Sequence, residues 1–366
     1  MLIGIDGNEA NIKKRVGIGR YAYELIWQFY NHQTPSIKYK IFLKDSPKND
    51  LPPPKDNWQY TIVGPKKFWT QLGLPLSLFL SHPKPDIFFS PTHYAPRFCP
   101  CPLVISIMDL SFLCFPEMFR KQDLWQLKSW TAYSIKKAVK ILTISQASKN
   151  DIIKYYHVPS NRVVTTYPGY EMKFKNQNSK IKMKEPTILF VGKVEEKKGI
   201  LDLFASFDRV RKMIPDIKLL VAGPAEKEML KEFQEHKGVE YLGIIKNRDL
   251  PAYFQKSWIT VTPSITTANW EEQVGMVNIQ SMACGTPVIS TYSGAIPEFV
   301  PDNLAGILVP EKKIDQLTAA IAKLILDDKL REKMGHSAAV YAAMHYDAAI
   351  NVRKAEKFVM GLLKKS

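Results

Sequence analysis

Asn269-Trp270-Glu271-Glu272-Gln273-Val274-Gly275-Met276-Val277-Asn278-Ile279-Gln280 runs directly into Ser281-Met282-Ala283-Cys284-Gly285-Thr286-Pro287-Val288-Ile289-Ser290. A loop with two adjacent acids passes through Gly275 into a short helical pattern, which Gly285 terminates. The apolar run Pro287–Ser290 reads as a buried strand. Free N–H groups at the start of such a helix favour an anion, so the chain near Gly275 is a natural diphosphate seat. Glu272 precedes that seat, where it can hold sugar hydroxyls, and Gln280 lies about one to two turns along the helix. A plain loop–helix–strand unit gives no reason for two acids beside a positive helix end.

In both directions from this segment, short apolar runs alternate with amphipathic ones, the pattern of parallel sheets covered by helices. Downstream of a polar, lysine-rich stretch at Gly169–Pro186, strands are predicted at Thr187–Gly192, Ile217–Ala222, Glu240–Leu242, Trp258–Thr262 and Thr286–Ser290. Helices are predicted at Ile200–Met213 and Ile314–Leu326. Upstream, strands are predicted at Leu2–Asp6, Tyr39–Leu43, Tyr60–Val63, Asp86–Ser90, Leu103–Ile107 and Ile141–Ile144. A helix over Ile18–Tyr30 carries Tyr21, Leu25, Ile26 and Phe29 on one stripe. Two strand–helix series in 366 residues predict an α/β protein of two Rossmann-like domains facing a central cleft. They are expected at 1–168 and 187–346, with 169–186 as linker and a terminal helix in 347–366 packing back on the first domain.

Composition narrows the class of protein. Hydrophobic content of 45% with 23% charged residues is that of a globular chain, and no apolar run is long enough to span a bilayer. The first residues, MLIGIDGNEA, read as a buried strand and not as a signal peptide, so a cytoplasmic location is the default expectation. Cys99 and Cys101 form a C-P-C run with no histidine to complete a metal set, and reduced thiols with no metal are expected. The net charge of +16 is uneven: residues 121–184 hold 13 Lys/Arg against Asp123, Asp151 and Glu171. Such a surface suits nucleic acid, anionic membrane or a phosphorylated substrate, or is simply solvated. No nucleic-acid-binding motif is present, so nucleic acid is not an expected partner.

Two further loops carry candidate chemistry. Gly17-Ile18-Gly19-Arg20-Tyr21 opens a helix, where small residues let backbone approach a ligand. Gly192-Lys193-Val194-Glu195-Glu196-Lys197-Lys198-Gly199 follows a strand, where lysines can meet a diphosphate as point charges.

The run MACGTPVIS, preceded by EEQVGMVNIQ, resembles the donor-binding signature of the retaining glycosyltransferases of family 4. That signature is commonly E-G-F-G-L-P-x-x-E-A-M-A-C-G-x-P-V. GIGRY looks like the family's glycine loop, and MDLSFLCFPE like its H-D-L-x-F-x-x-x-P-E segment. TISQASKNDI, FVGKVEEKKG and SGAIPEFV look like its T-I-S-x-x-S, V-G-R-x-x-x-K-G and G-G-x-P-E runs. The resemblance covers nearly the whole chain. It implies the two-domain GT-B fold, an acceptor-binding first domain, and a second domain for a UDP- or GDP-linked sugar, with no separate cofactor. It also implies roles: Gly17 and Gly19 approach the donor, Lys193 and Lys198 neutralise the diphosphate, and Glu272 binds the transferred sugar. Backbone amides around Gly275, Met276 and Val277 meet the diphosphate, and Glu272 and Asp109 are the expected catalytic residues.

Two positions depart from the pattern. The family's histidine before Asp109 is Met108, whose thioether transfers no proton. His93 and Asp109 are the nearest residues in sequence able to take its place. Gln280 stands where the family has a glutamate on the nucleotide ribose, and a neutral amide binds there more weakly. The leading expectation is a metal-independent transferase moving a sugar, with retention, to a hydroxyl in envelope glycan, polysaccharide or glycolipid synthesis. The alternative is a non-catalytic partner subunit on the same scaffold; an epimerase or hydrolase lacks dedicated support. A stripe of Trp69, Leu72, Leu76, Phe79 and Leu80 beside Lys66 and Lys67, with Trp125 and Trp130 near Lys128, suits a lipid-linked acceptor and peripheral contact with anionic membrane at its inner face.

Overall fold

The computed structural model describes residues 1–15, 17–31, 36–170, 174 and 182–361. The chain forms two compact units, Met1–Pro168 with Ala348–Ser366, and Gly169–Asp347.

The first unit holds a parallel sheet of β1 (Leu2–Asp6), β2 (Lys38–Leu43), β3 (Trp58–Ile62), β4 (Ile87–Ser90), β5 (Leu103–Ile107), β6 (Lys140–Thr143) and β7 (Val163–Thr165). Their order is β3-β2-β1-β4-β5-β6-β7, so the strand order reverses between β1 and β4. β4 and β5 are buried along their whole length, as strands covered on both faces must be. The helices are α1 (Ile18–Asn31), α2 (Leu74–Leu80), α3 (Ser111–Cys114), α4 (Lys121–Lys137) and α5 (Gln146–Tyr156). α1 turns Ala22, Leu25, Ile26 and Phe29 to the core, and Ser145 caps α5 by accepting from the Ser148 amide at 3.0 Å.

The second unit repeats the plan with β8 (Thr187–Val191), β9 (Lys218–Ala222), β10 (Val239–Gly243), β11 (Ile259–Thr262), β12 (Val288–Thr291) and β13 (Gly306–Val309). The order β10-β9-β8-β11-β12-β13 reverses between β8 and β11, and Ile188 pairs with Ile259 across that junction. Around it lie α6 (Ile200–Met213), α7 (Lys227–Glu235), α8 (Leu250–Lys256), α9 (Met276–Ala283), α10 (Ile296–Phe299), α11 (Ile314–Leu326) and α12 (Asp328–His345). α6 buries Leu203, Phe204, Phe207 and Val210, a helical spacing, and places Asp202 in its first turn and Arg211 and Lys212 in its last, as the helix dipole favours.

α13 (Ala348–Met360) packs with the first unit: it contacts α1, and Glu356 accepts a hydrogen bond from the Tyr39 hydroxyl of β2. Each sheet ends in a strand that the sequence reading omits, β7 and β13. Both are short, Val163–Thr165 and Gly306–Val309, so neither shows a periodicity. Of the expected linker, 171–173 and 175–181 lie outside the described residues. The rest is anchored: Phe174 is buried against Phe254, and Lys182 Nζ donates to the Ser257 carbonyl at 2.6 Å. Trp69 is a correction to the expected surface stripe, because it turns into the core beside Leu74 and Leu78. The four cysteines are thiols outside any disulfide.

Candidate functional site

Open α/β sheets bind ligands outside the carboxyl ends of their strands where the order reverses. In the second unit that point holds a pocket of about 360 Å³. Its lining comes from Phe190, Val191 and Gly192 at the end of β8, Lys198 in the next loop, and Thr262 and Ser264 at the end of β11. Glu272 through Asn278 complete it.

Gly275 caps α9 with φ 70° and ψ 53°, a left-handed conformation that glycine adopts without strain. From there the chain turns into the helix, whose first residues, Met276 and Val277, line the pocket. Asn278 is buried and accepts from the Thr262 hydroxyl at 2.5 Å, which ties α9 to β11. The Glu272 loop is held from behind by the turn after β12: the Ala295 amide donates to the Glu272 carbonyl at 2.8 Å. Gly294 (φ 52°) makes that approach possible, since a Cβ there would stand 2.2 Å from the Glu272 carbonyl oxygen.

Two opposite charges face each other in the pocket. Lys198 Nζ lies 2.7 Å from Glu272 Oε2, with side chains 24% and 18% exposed, so the pair is poorly screened. The Ser264 hydroxyl donates to the same carboxylate oxygen at 3.4 Å. The Trp270 ring lies 4.4 Å from the Lys198 ammonium.

The structure therefore brings Glu272, Lys198, Gly275, Met276 and Val277 into one pocket. Lys193 is not part of the lining; its ammonium lies 2.8 Å from Glu195 and 3.6 Å from Glu226. Gln280 is half-buried on α9 and also outside the lining. Thr262, Ser264, Asn278 and Gly294 are not among the site residues expected from sequence; Asn278 lies inside the EEQVGMVNIQ run and Gly294 inside SGAIPEFV, while Thr262 and Ser264 carry no such signal.

Gly17, Gly19 and Asp109 belong to the first unit. Gly17 (φ 50°) and Gly19 stand at the start of α1. Asp109, just past β5, accepts from the Ser111 amide at 2.9 Å. His93 reaches the same loop: its Nε2 accepts from the Met108 amide at 3.1 Å, so Nδ1 carries the proton of the neutral ring. Burial lowers the His93 pKa, against the opposing pull of Asp109, which keeps that ring neutral. At the end of β1, burial raises the Asp6 carboxyl to about 7, against the Asn8 amide bond that lowers it.

Residues 171–340 match the family profile described as glycosyl transferases group 1. This region is a glycosyl transferases group 1 domain. The match spans the pocket and both loops that build it. Among curated relatives of the domain, the D-inositol 3-phosphate glycosyltransferase of Paenarthrobacter aurescens (strain TC1) is 26% identical over 246 residues, 62% of this chain and 59% of that protein. The O-antigen chain mannosyltransferase B of Escherichia coli is 26% identical over 268 residues, 68% of each chain. The chain thus spans about three fifths to two thirds of these relatives' own lengths. Among solved structures, Anabaena HepE in complex with UDP superposes with a TM-score of 0.72 at 16% identity, over 98% of this chain and 99% of that one. The chain, with its two parallel α/β units, has the GT-B fold, and the group 1 match falls within the second unit.

Proposed function

We propose that the chain is a glycosyltransferase that moves a sugar from a UDP- or GDP-linked donor to an acceptor hydroxyl, with retention of anomeric configuration. The Lys198–Glu272 pair beside the amino end of α9, in a pocket where the second sheet reverses its order, carries this reading. The donor diphosphate is placed at the Met276 and Val277 amides, where the helix end favours negative charge. Lys198 moves from Glu272 to a phosphate oxygen, and the released carboxylate accepts from hydroxyls of the transferred sugar. As the sugar–phosphate bond breaks, charge grows on the leaving diphosphate, and these preorganised donors stabilise it more than the ground state. In this reading a helix end and a lysine do the neutralising, and no metal takes part. HepE, which shares the fold, has been solved with UDP, and this supports a nucleotide-sugar donor.

The acceptor is assigned to the first unit and to the class of envelope glycans or lipid-linked sugars, worked on beside an anionic membrane surface. His93 stands against Met108 and Asp109 there, and we assign it the polar role that the Met108 thioether does not fill. No helix among the described residues is long and apolar enough to cross a membrane.

The test is nucleotide release from a panel of UDP-, GDP- and ADP-sugars, with and without EDTA. Slow hydrolysis of one donor class, unaffected by chelation and lost in Glu272→Ala, is the expected result. Neither binding nor turnover across the panel would instead mark a non-catalytic partner subunit, the reading that Met108 and Gln280 together would favour.

A further inference from the structure

Two phenylalanines of the first unit sit where both backbone and solvent disfavour them. Phe68 (φ 56°) and Phe98 (φ 54°) occupy the left-handed region, which a bulky residue enters only under constraint. Their side chains are nevertheless 60% and 74% exposed, so no packing within the chain repays that strain. The two positions are neighbours. The Arg97 amide donates to the Thr70 carbonyl at 3.3 Å, which ties the Phe98 loop to the π turn Trp69–Gly73 that Phe68 opens. The Tyr133 hydroxyl of α4 accepts from the Phe98 amide at 3.1 Å and holds the loop from the other side.

The π turn leaves Leu72 in water and continues into α2, which buries Leu74 and Leu78 and leaves Leu76, Phe79 and Leu80 exposed. Six large apolar side chains on adjoining segments make a surface that a soluble protein rarely leaves uncovered. Cations rim it. Lys66 and Lys67 directly precede Phe68, with the Lys67 ammonium 5.6 Å from its ring, and Arg97 directly precedes Phe98. A wedge of phenyl and leucyl groups rimmed by Lys66, Lys67 and Arg97, the last lying over the Tyr133 ring at 4.6 Å, matches an anionic bilayer, whose acyl boundary takes the apolar tips while its phosphates meet the cationic groups. Asp45 pairs with Lys66 at 2.5 Å, and an anionic headgroup would compete with it for that ammonium.

We propose that Phe68 and Phe98 are insertion anchors through which the first unit docks on an anionic lipid surface, with the outer face of α2 lying in the interface. Shallow insertion requires apolar rings held in solvent, and the left-handed backbone at Phe68 and Phe98 holds both there. This deepens the reading of an acceptor met at a membrane and rests on it only for that purpose; the docking itself does not depend on transfer chemistry.

The full chain is cosedimented with vesicles of phosphatidylcholine alone and of phosphatidylcholine with phosphatidylglycerol, together with the Phe68→Ser/Phe98→Ser variant. Binding to the anionic vesicles is expected to be about tenfold or more tighter than to the neutral ones, to weaken as salt is raised, and to fall about tenfold in the variant. Phe68→Gly controls for folding: glycine relieves the left-handed strain, so its thermal midpoint should rise while vesicle binding falls. UDP affinity, measured on the same samples, should be equal in all three proteins. Indifference of the native chain to anionic vesicles, or unchanged binding by the double variant, overturns the proposal. Self-association lost in the double variant, without vesicle binding, would overturn it in favour of a second copy on this face. Failure of the native chain to bind UDP would count against the donor site and leave the vesicle result standing.

Discussion

Lys198 and Glu272 are each other's counter-ion in the pocket, 2.7 Å apart and half-buried, so a ligand that takes one must release the other. A diphosphate exchanges one carboxylate partner of Lys198 for phosphate oxygens, while a nucleoside without phosphate has nothing to exchange. Lys198→Met is therefore expected to weaken UDP about ten- to thirtyfold, the worth of a charge-assisted hydrogen bond, and to leave uridine affinity unchanged. Calorimetric titration of both ligands checks this, and equal loss for both would make Lys198 a structural residue. These two charges were legible in the sequence because acids and lysines beside glycines are conspicuous. The contact between Thr262 and Asn278 was not legible. A threonine inside an apolar strand looks like any buried hydroxyl until the fold brings it 2.5 Å from an amide on another element.

At the scale of elements, the site depends on how closely three loops approach one another. The turn after β12 backs the Glu272 loop so tightly that Gly294 has no room for a Cβ: it would stand 2.2 Å from the Glu272 carbonyl oxygen. Gly294→Ala meets both this contact and the φ of 52°, and is expected to cost about 1–3 kcal/mol of stability. Because the displaced backbone is that of Glu272, donor hydrolysis should fall further than UDP affinity. Thermal unfolding with donor kinetics tests this, and a variant with native stability and turnover would show that the turn yields freely. The long, strongly periodic elements were legible in advance: α6 and α11 lie where the apolar spacing predicts them. β7 and β13 were missed because three or four residues at a sheet edge carry too little pattern to separate from a loop.

At the scale of the whole molecule, the alternation of strands and helices was enough to indicate two parallel sheets, because each crossover demands an intervening helix. The unpatterned contribution is electrostatic. A chain of net charge +16 gains further positive charge on acidification, which disfavours the compact state. Asp6 at the end of β1 works in the opposite direction. Burial raises its carboxyl to about 7, with Glu9 adding to the rise and Lys44 and the Asn8 amide opposing it. In the unfolded chain the same group titrates near its usual value of about 3.9. The native state therefore binds the proton more tightly, and stability from Asp6 is complete below about pH 4, falls as pH rises, and is lost through about pH 7. The corresponding free energy is roughly 4 kcal/mol at most. Asp6→Asn keeps an oxygen that accepts from the Asn8 amide, 3.0 Å away in the native protein, and removes the ionisation. Urea unfolding followed through amide exchange in β1, corrected for intrinsic rates, should show the native midpoint dropping between about pH 5 and 8 while the variant's drops less. At the upper pH the variant should be the more stable protein. Parallel pH profiles for the two would mean that the Asp6 carboxyl ionises in the fold as it does in water, and that the loss of stability with pH arises elsewhere.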